Sequence, residues 1–460
     1  MARDARLLFA ARTVRMFGYG SLAVILALYL TAAGIDAPSI GLLLSLTLVG
    51  DTLISLWLTT HADQIGRRRT LMAGGLLMAA AGVVFASTDV FAILLIAATI
   101  GVLSPSGNEV GPFLAIEQAS LSVVTPDSRR TSIFAWYNLV GSVATAVGAL
   151  AAGLIVGSLR GTGMPELAAD RVLVLGYAFA GLVLVGIFSR VSAAIEVPPL
   201  DRSIARRLGL HRSRGIVLRL SALFSLDAFA GGLVVQSLLA LWFHDRFGVS
   251  EAVLGAIFFA ANLLAAVSAL AASRLAARFG LINTMVFSHL PSNVLLILVP
   301  LMPSLPLAVL VLLARFSLSQ MDVPTRQSYT IAVVSPDERS AAAGVTGIAR
   351  TTGAAIGPLI ATPLMVVPAL APVPFFVGGI LKIVYDLLLF RAFRSRRTPE
   401  EALWPGSVGG APARAPQAPP HEQRDEGQER HRDEQVERLE RVADVQPVAA
   451  ELGPGEHEGD

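Results

Sequence analysis

The chain has 460 residues, 54% of them apolar and only 15% charged, and no cysteine, a balance that does not suit a soluble domain and that excludes disulfides and thiolate metal sites. From residue 400 onward 15 acidic groups stand against 6 arginines, so the net charge of +2 conceals a basic body and an acidic tail. The basic residues of the body fall between apolar segments rather than in one patch, which argues for membrane orientation and against nucleic-acid binding.

A helix needs about 20 apolar residues to cross the hydrocarbon layer. That length predicts spans over residues 7–30, 40–58, 71–87, 91–116, 133–156 and 172–188. A basic stretch follows, and the series resumes over 220–243, 253–272, 282–301, 305–330, 341–366 and 373–393. The first apolar segment lacks a small-residue cleavage pattern and reads as a span rather than a signal peptide. Arginines at 3, 6, 67–69, 129–130, 190–219, 274, 278, 339 and 391–397 fall on one side of this alternation, against Arg160, Arg171 and Arg246 on the other. The positive-inside rule then predicts both termini in the cytoplasm and an outward loop at 157–170.

The chain repeats itself. Gly34, Gly41 and Gly66 align with Gly248, Gly255 and Gly280 at one offset of 214 residues, and Pro126-Asp127-Ser128-Arg129 matches Pro336-Asp337-Glu338-Arg339. The predicted fold class is therefore an all-α membrane protein of twelve transmembrane helices in two pseudo-symmetric six-helix halves. The halves cover 1–189 and 220–393, with a cytoplasmic connector at 190–219. Residues 394–460 read as a disordered cytoplasmic tail, because their Pro, Gly and mixed-charge composition offers no apolar face to bury.

Between the second and third spans stands Thr59-Thr60-His61-Ala62-Asp63-Gln64-Ile65-Gly66-Arg67-Arg68-Arg69. This resembles the cytoplasmic signature G-x-x-x-D-(R/K)-x-G-(R/K)-(R/K) of the major facilitator superfamily, with Thr59 in place of the first glycine and Gln64 in place of a basic residue. The resemblance implies a secondary transporter of a small solute that works by alternating access in the bacterial inner membrane, as a monomer and without a cofactor. It assigns Asp63, Gly66, Arg67 and Arg68 to a conformational lock, with Glu117 at the inner end of the fourth span as the partner of Arg67. A further element, Gly353 to Pro358 in span eleven, is similar to one that proton-driven exporters carry on span five, and it tips the expected direction toward efflux.

Ionisable groups inside hydrocarbon cost roughly 2.5 to 3.5 kcal/mol each on insertion scales, so each asks for a partner or a task. Those predicted there are Arg12, Arg15, Asp51, Glu109, Asp227, Arg315, Asp322 and Arg350. Glu109 follows Asn108 in a segment interrupted by two prolines and two glycines, which frees backbone groups to line a cavity. Arg12, near a helix end, has snorkelling as an alternative. Glu109, Asp227, Asn108, Arg15, Asp322 and Arg315 form the candidate proton and substrate site, with Glu109 or Asp227 expected to carry a coupling proton and Glu109 the first choice. Asp322 has Arg326 one turn away as an ordinary pair. Asp51 and Arg350, at similar depth in spans two and eleven, are expected to pair across the halves. His289 reads as structural rather than as a proton relay.

No metal cluster, phosphate loop or nucleophile–base arrangement is visible, so an ion gradient or the solute's own gradient is the expected energy source. An uptake symporter and an uncoupled facilitator stay open within the class. A non-transporting membrane sensor and a polytopic membrane enzyme are the readings from other classes.

Overall fold

The computed structural model describes residues 3–109, 111–125, 130–196, 212–335 and 338–394, all within one compact unit. The acidic tail, half of the connector, and residues 126–129 and 336–337 of the repeated tetrapeptides lie outside the described residues. Every long element described is a helix, as hydrocarbon demands, because each backbone N–H and C=O must be bonded within its own segment. In the first half α1 (Arg3–Ala32), α2 (Ala37–Ile65) and α3 (Arg67–Ser87) are single rods. The fourth crossing is split into α4 (Phe91–Ile100) and α5 (Phe113–Val124), and α6 (Arg130–Gly161) and α7 (Glu166–Phe188) complete the half.

The second half begins with α8 (Arg214–Gly232) and α9 (Gln236–Phe247), which share one crossing, so the first residues of this span lie inside the stretch read as connector. Then come α10 (Glu251–Phe279), α11 (Leu281–Leu298), the split pair α12 (Leu305–Ser319) and α13 (Asp322–Ala332), α14 (Arg339–Met365) and α15 (Val373–Phe393). Ten crossings are long and apolar enough to span a membrane. The other two are the broken fourth and α14, which is built largely of Ala, Gly and Thr.

Span four is expected to be interrupted around Glu109 and is; spans seven and ten are expected to be continuous, and the structure breaks both. Pro105 has no N–H to donate to Gly101, so α4 ends there, and Pro324 likewise cannot continue the ladder from Gln320. In span seven α8 ends at the Gly231-Gly232 pair. The repeated glycines serve the same purpose in both halves. Gly34 (φ +79°) and Gly248 (φ +63°), like Gly66 (φ +101°) and Gly280 (φ +89°), take positive φ at matching turns. Gly41 and Gly255 instead allow backbones of opposite halves to touch: a Cβ on Gly41 would stand 2.7 Å from Pro358 O, and one on Gly255 2.7 Å from Ala149 O.

Those contacts put α2 against α14 and α6 against α10 at the end of the bundle opposite the termini. The rest of the exterior is apolar, with Leu53, Ile96, Phe179 and Leu310 turned outward, as a lipid-facing surface requires.

Candidate functional site

The break in span four builds the first charge cluster. Gly107 (φ +69°) and Gly111 (φ +80°) turn the chain between α4 and α5, and the Gly111 N–H donates to Asp51 Oδ1 of α2 at 2.5 Å. Glu109, held in this break, receives Arg15 Nε at 2.8 Å on one oxygen and Arg12 Nη1 on the other. The two remaining nitrogens of Arg15 fork onto Glu117 of α5, both at 2.8 Å, and the Tyr137 hydroxyl donates to the same carboxylate. Arg12 Nε donates to Tyr137 O at 3.0 Å, and its guanidinium lies 4.3 Å from the centre of the Tyr137 ring. Arg15 and Glu117 are fully buried, so the bidentate geometry offsets a desolvation cost that neither charge could bear alone. Two arginines and two glutamates thus balance at the meeting of spans one, four and five.

A second cluster joins four spans of the other half. Asp227 of α8 accepts Lys382 Nζ of α15 at 2.6 Å on Oδ1 and Arg326 Nη1 of α13 at 3.3 Å on Oδ2. The same Arg326 nitrogen donates to Asp322 at 2.7 Å, as the i,i+4 spacing suggested. His289 of α11 sits with Nε2 4.0 Å from Asp227 and Nδ1 2.9 Å from Asp386 of α15. The second oxygen of Asp386 accepts Asn293 Nδ2 at 2.9 Å. Pro291 lies between His289 and Asn293, where its missing N–H loosens the helix. A continuous chain of polar contacts therefore runs from Asp322 through Asp227 to Asp386.

At the face of the termini, carboxylates cap helix starts within each half. Glu196 accepts the N–H groups of Arg67 (2.7 Å) and Arg68 (3.1 Å), and Glu338 those of Arg212 (2.7 Å) and Ser213 (2.8 Å). A helix N-terminus carries unpaired donors and partial positive charge, which a carboxylate satisfies. Toward the opposite face the halves themselves are joined. Arg160 of α6 pairs with Glu251 of α10 beside the Gly153–Gly255 approach, and Ser237 N donates to Pro105 O at 3.2 Å.

Two helical halves, matched at their glycines and meeting around broken spans four, seven and ten, accord with the sequence comparison. The sequence model of the Major Facilitator Superfamily matches residues 8–358 and 220–418. The chain belongs to the major facilitator superfamily. An uncharacterised membrane protein of Saccharomyces cerevisiae is 31% identical over 419 residues, covering 84% of this chain and 93% of its own length. Solved superfamily structures share the fold at low identity. A point variant of the nucleoside transporter NupG superposes with a TM-score of 0.67 at 14% identity, over 85% of this chain and all of its own. A D-xylose-proton symporter gives 0.65 at 14%, over 84% and 97%. The human organic anion transporter MFSD10 gives 0.58 at 20%, over 84% and 99%.

Within this superfamily fold some expected partners are exchanged. Glu117 binds Arg15 rather than Arg67, because α5 turns it toward α1; the Arg67 guanidinium donates to Ile195 O at 3.3 Å. The Asp63 side chain lies outside the described residues. Asp51 and Arg350 do not pair: Asp51 is bonded to Gly111 and Ser55, whereas Arg350 stands on the face of α14 that packs against α8. Their depths match, but helix rotation turns them apart. Arg12 is buried in its pair with Glu109 instead of snorkelling. Asn108 is exposed on the break, beside Glu109. The Gly353 and Gly357 element meets the backbones of Ser225 and Gly232, which makes it a packing surface between spans eleven and seven.

Lys382, Asp386, Asn293 and Glu196 went unread in the sequence. Lys382 and Asp386 lie 9 and 13 residues into α15, too deep to snorkel, so the insertion cost that singled out Asp227 applies to them equally.

Proposed function

We propose that the chain is a secondary transporter that moves a small solute by alternating access, coupled to protons through the Asp227 or the Glu109 cluster. One observation carries this reading. Each half holds its own buried charge cluster at a broken central span, while the close approaches between halves gather at the end opposite the termini. Two rigid bodies joined at one end and separately braced at the other have the construction that rocking about a midplane site needs. Buried carboxylates with several cationic partners can exchange a proton for a partner as those partners move. The Asp227 cluster has more exchangeable members, Lys382, Arg326 and His289, and is the stronger seat for coupling. With the arginine-rich face inside, the termini are cytoplasmic and the structure represents a state closed toward the outside, in a cell's inner membrane.

The test is solute movement in proteoliposomes with and without an imposed pH gradient, using wild type, Glu109→Gln and Asp227→Asn. Loss of gradient-driven accumulation in Asp227→Asn, with exchange of solute retained, is the expected result. Full gradient-driven transport in both variants would remove proton coupling through these groups.

A further inference from the structure

The ionic clusters leave two cations over. Arg315 of α12 and Arg350 of α14 form no ion pair and no hydrogen bond with any described residue, and the Nε of each is shut from solvent without an acceptor. Each residue is otherwise only partly exposed. Both lie near mid-membrane. Arg315 is 10 residues from the start of α12 and Arg350 11 from the start of α14, about 15 to 17 Å from opposite ends at 1.5 Å per residue.

Their helix faces turn them inward. Arg315 lies one and two turns after buried Leu312 and Ala308, not with outward Leu310. Arg350 lies one turn before Gly353, which touches Ser225 on α8. Asp227 is within electrostatic reach of both, yet its oxygens are taken by Lys382 and Arg326. Charge accounting points the same way. Around Asp227 the carboxylates of residues 227, 322 and 386 face the cations of residues 326, 382, 315 and 350, one positive charge in excess even with His289 neutral. Asp51, a further carboxylate in the membrane body, is bonded to Gly111 and Ser55 in the other half. An uncompensated cation in low dielectric is costly, and a guanidinium with both Nη atoms free presents two parallel donors that a carboxylate or phosphate accepts end-on.

We infer that Arg315 and Arg350 bind the anionic group, a carboxylate or a phosphate, of the solute that passes between the halves. This rests on the transporter reading above. The site would take a small organic anion and refuse its uncharged isostere, because the neutral form leaves both guanidiniums unpaired.

The experiment uses the full chain in nanodiscs and proteoliposomes with benzoate, phenyl phosphate, benzamide and benzylamine as probes. Binding is read from the thermal unfolding midpoint and movement from release of preloaded solute. Benzoate or phenyl phosphate should raise the midpoint saturably while the amide and amine do not, and which anion acts tells carboxylate from phosphate. Arg315→Gln and Arg350→Gln should each raise the half-saturating concentration at least tenfold. Arg→Lys at either position, which keeps the charge and loses the fork, should raise it less, and it keeps the comparison readable if a glutamine variant fails to fold. Benzamide or benzylamine bound or moved in preference to the anions overturns the inference and leaves the transporter reading standing. So does anion binding unchanged in the arginine variants. Absence of binding and movement for all four probes overturns the inference, and the pH-gradient experiment above then decides the transporter reading by itself.

Discussion

Lys382 Nζ lies 2.6 Å from Asp227 Oδ1, a contact between α15, at the edge of its half, and α8, the broken span. Both side chains are buried, and among the described residues Asp227 is the sole ion-pair partner of Lys382, while Asp227 also holds Arg326. Removing one partner of such a pair costs about 3–5 kcal/mol, while removing both is often near neutral. Lys382→Met should therefore lower the unfolding midpoint and membrane abundance more than Lys382→Met with Asp227→Asn. A double variant no better than the worse single one would show that the contact does not couple them.

In the first half the load falls on Arg15, which holds Glu109 by Nε and Glu117 by both Nη atoms. Arg15→Met strands Glu117 and leaves Glu109 with Arg12 alone, and it should be the most destabilising single change in the cluster, again by about 3–5 kcal/mol. Arg15→Lys supplies charge without the fork and should recover only part. Glu109→Gln should cost less than Glu117→Gln, because Glu109 is partly exposed and Glu117 is not. Unfolding midpoints of the purified variants rank these directly, and equal midpoints for Arg15→Lys and wild type would deny the bidentate contact any weight.

How much of this was legible in the sequence follows from what each property depends on. Span number, the two halves and the glycine turns depend on composition and local conformation, and they were readable: Gly66 and Gly280 mark the same turn in both halves because both need positive φ. Asp322 and Arg326 were readable because i,i+4 neighbours share a helix face. Pairs between helices were not. Depth can be counted along the chain, which is why Asp51 and Arg350 looked matched, but rotation about the helix axis is set by packing, and it sends Asp51 to Gly111. Lys382 was hidden for a different reason: as the lone lysine of an arginine-rich chain it reads as compositional bias until its position within α15 is weighed.

Glu196 ties the start of α3 to the chain that follows α7. Glu196→Ala leaves the Arg67 and Arg68 amides without their acceptor and should cost about 1–2 kcal/mol, the worth of a good N-cap. Glu196→Gln keeps an acceptor and should lose less. Unfolding midpoints in nanodiscs settle the order, and a neutral Glu196→Ala would reduce the capping contact to a bystander.

The absence of native cysteine permits a direct test of orientation. Ser158 and Arg394 are exposed at opposite ends of the bundle. Single Ser158→Cys and Arg394→Cys variants should react with an impermeant thiol reagent from opposite sides, the first from outside intact cells and the second only after the membrane is opened. Reaction of both from one side would refute the topology.

The seam between α6 and α10 offers a test of alternating access itself. A Cβ built on Gly157 stands 3.2 Å from the Ala252 Cβ, and Arg160 and Glu251 pair across the same seam. Disulfides need Cβ atoms about 3.5–4.5 Å apart, so a shift of a few tenths of an ångström lets Gly157→Cys and Ala252→Cys join under mild oxidation. Bond formation is read as the loss of two thiols reactive to a maleimide polymer. If the halves rock, this seam must part in every cycle, and the oxidised double variant should lose at least nine-tenths of its transport and regain it with reductant. The single variants should keep their rate under oxidant, which separates the lock from damage by the oxidant. Glu251→Gln should act in the opposite sense: losing the Arg160 pair weakens the closed seam and should raise thiol accessibility at Gly157→Cys from that face. A disulfide that forms fully and leaves transport unchanged would mean that the seam stays shut throughout the cycle, and the solute would then need a route other than rocking about this end of the bundle.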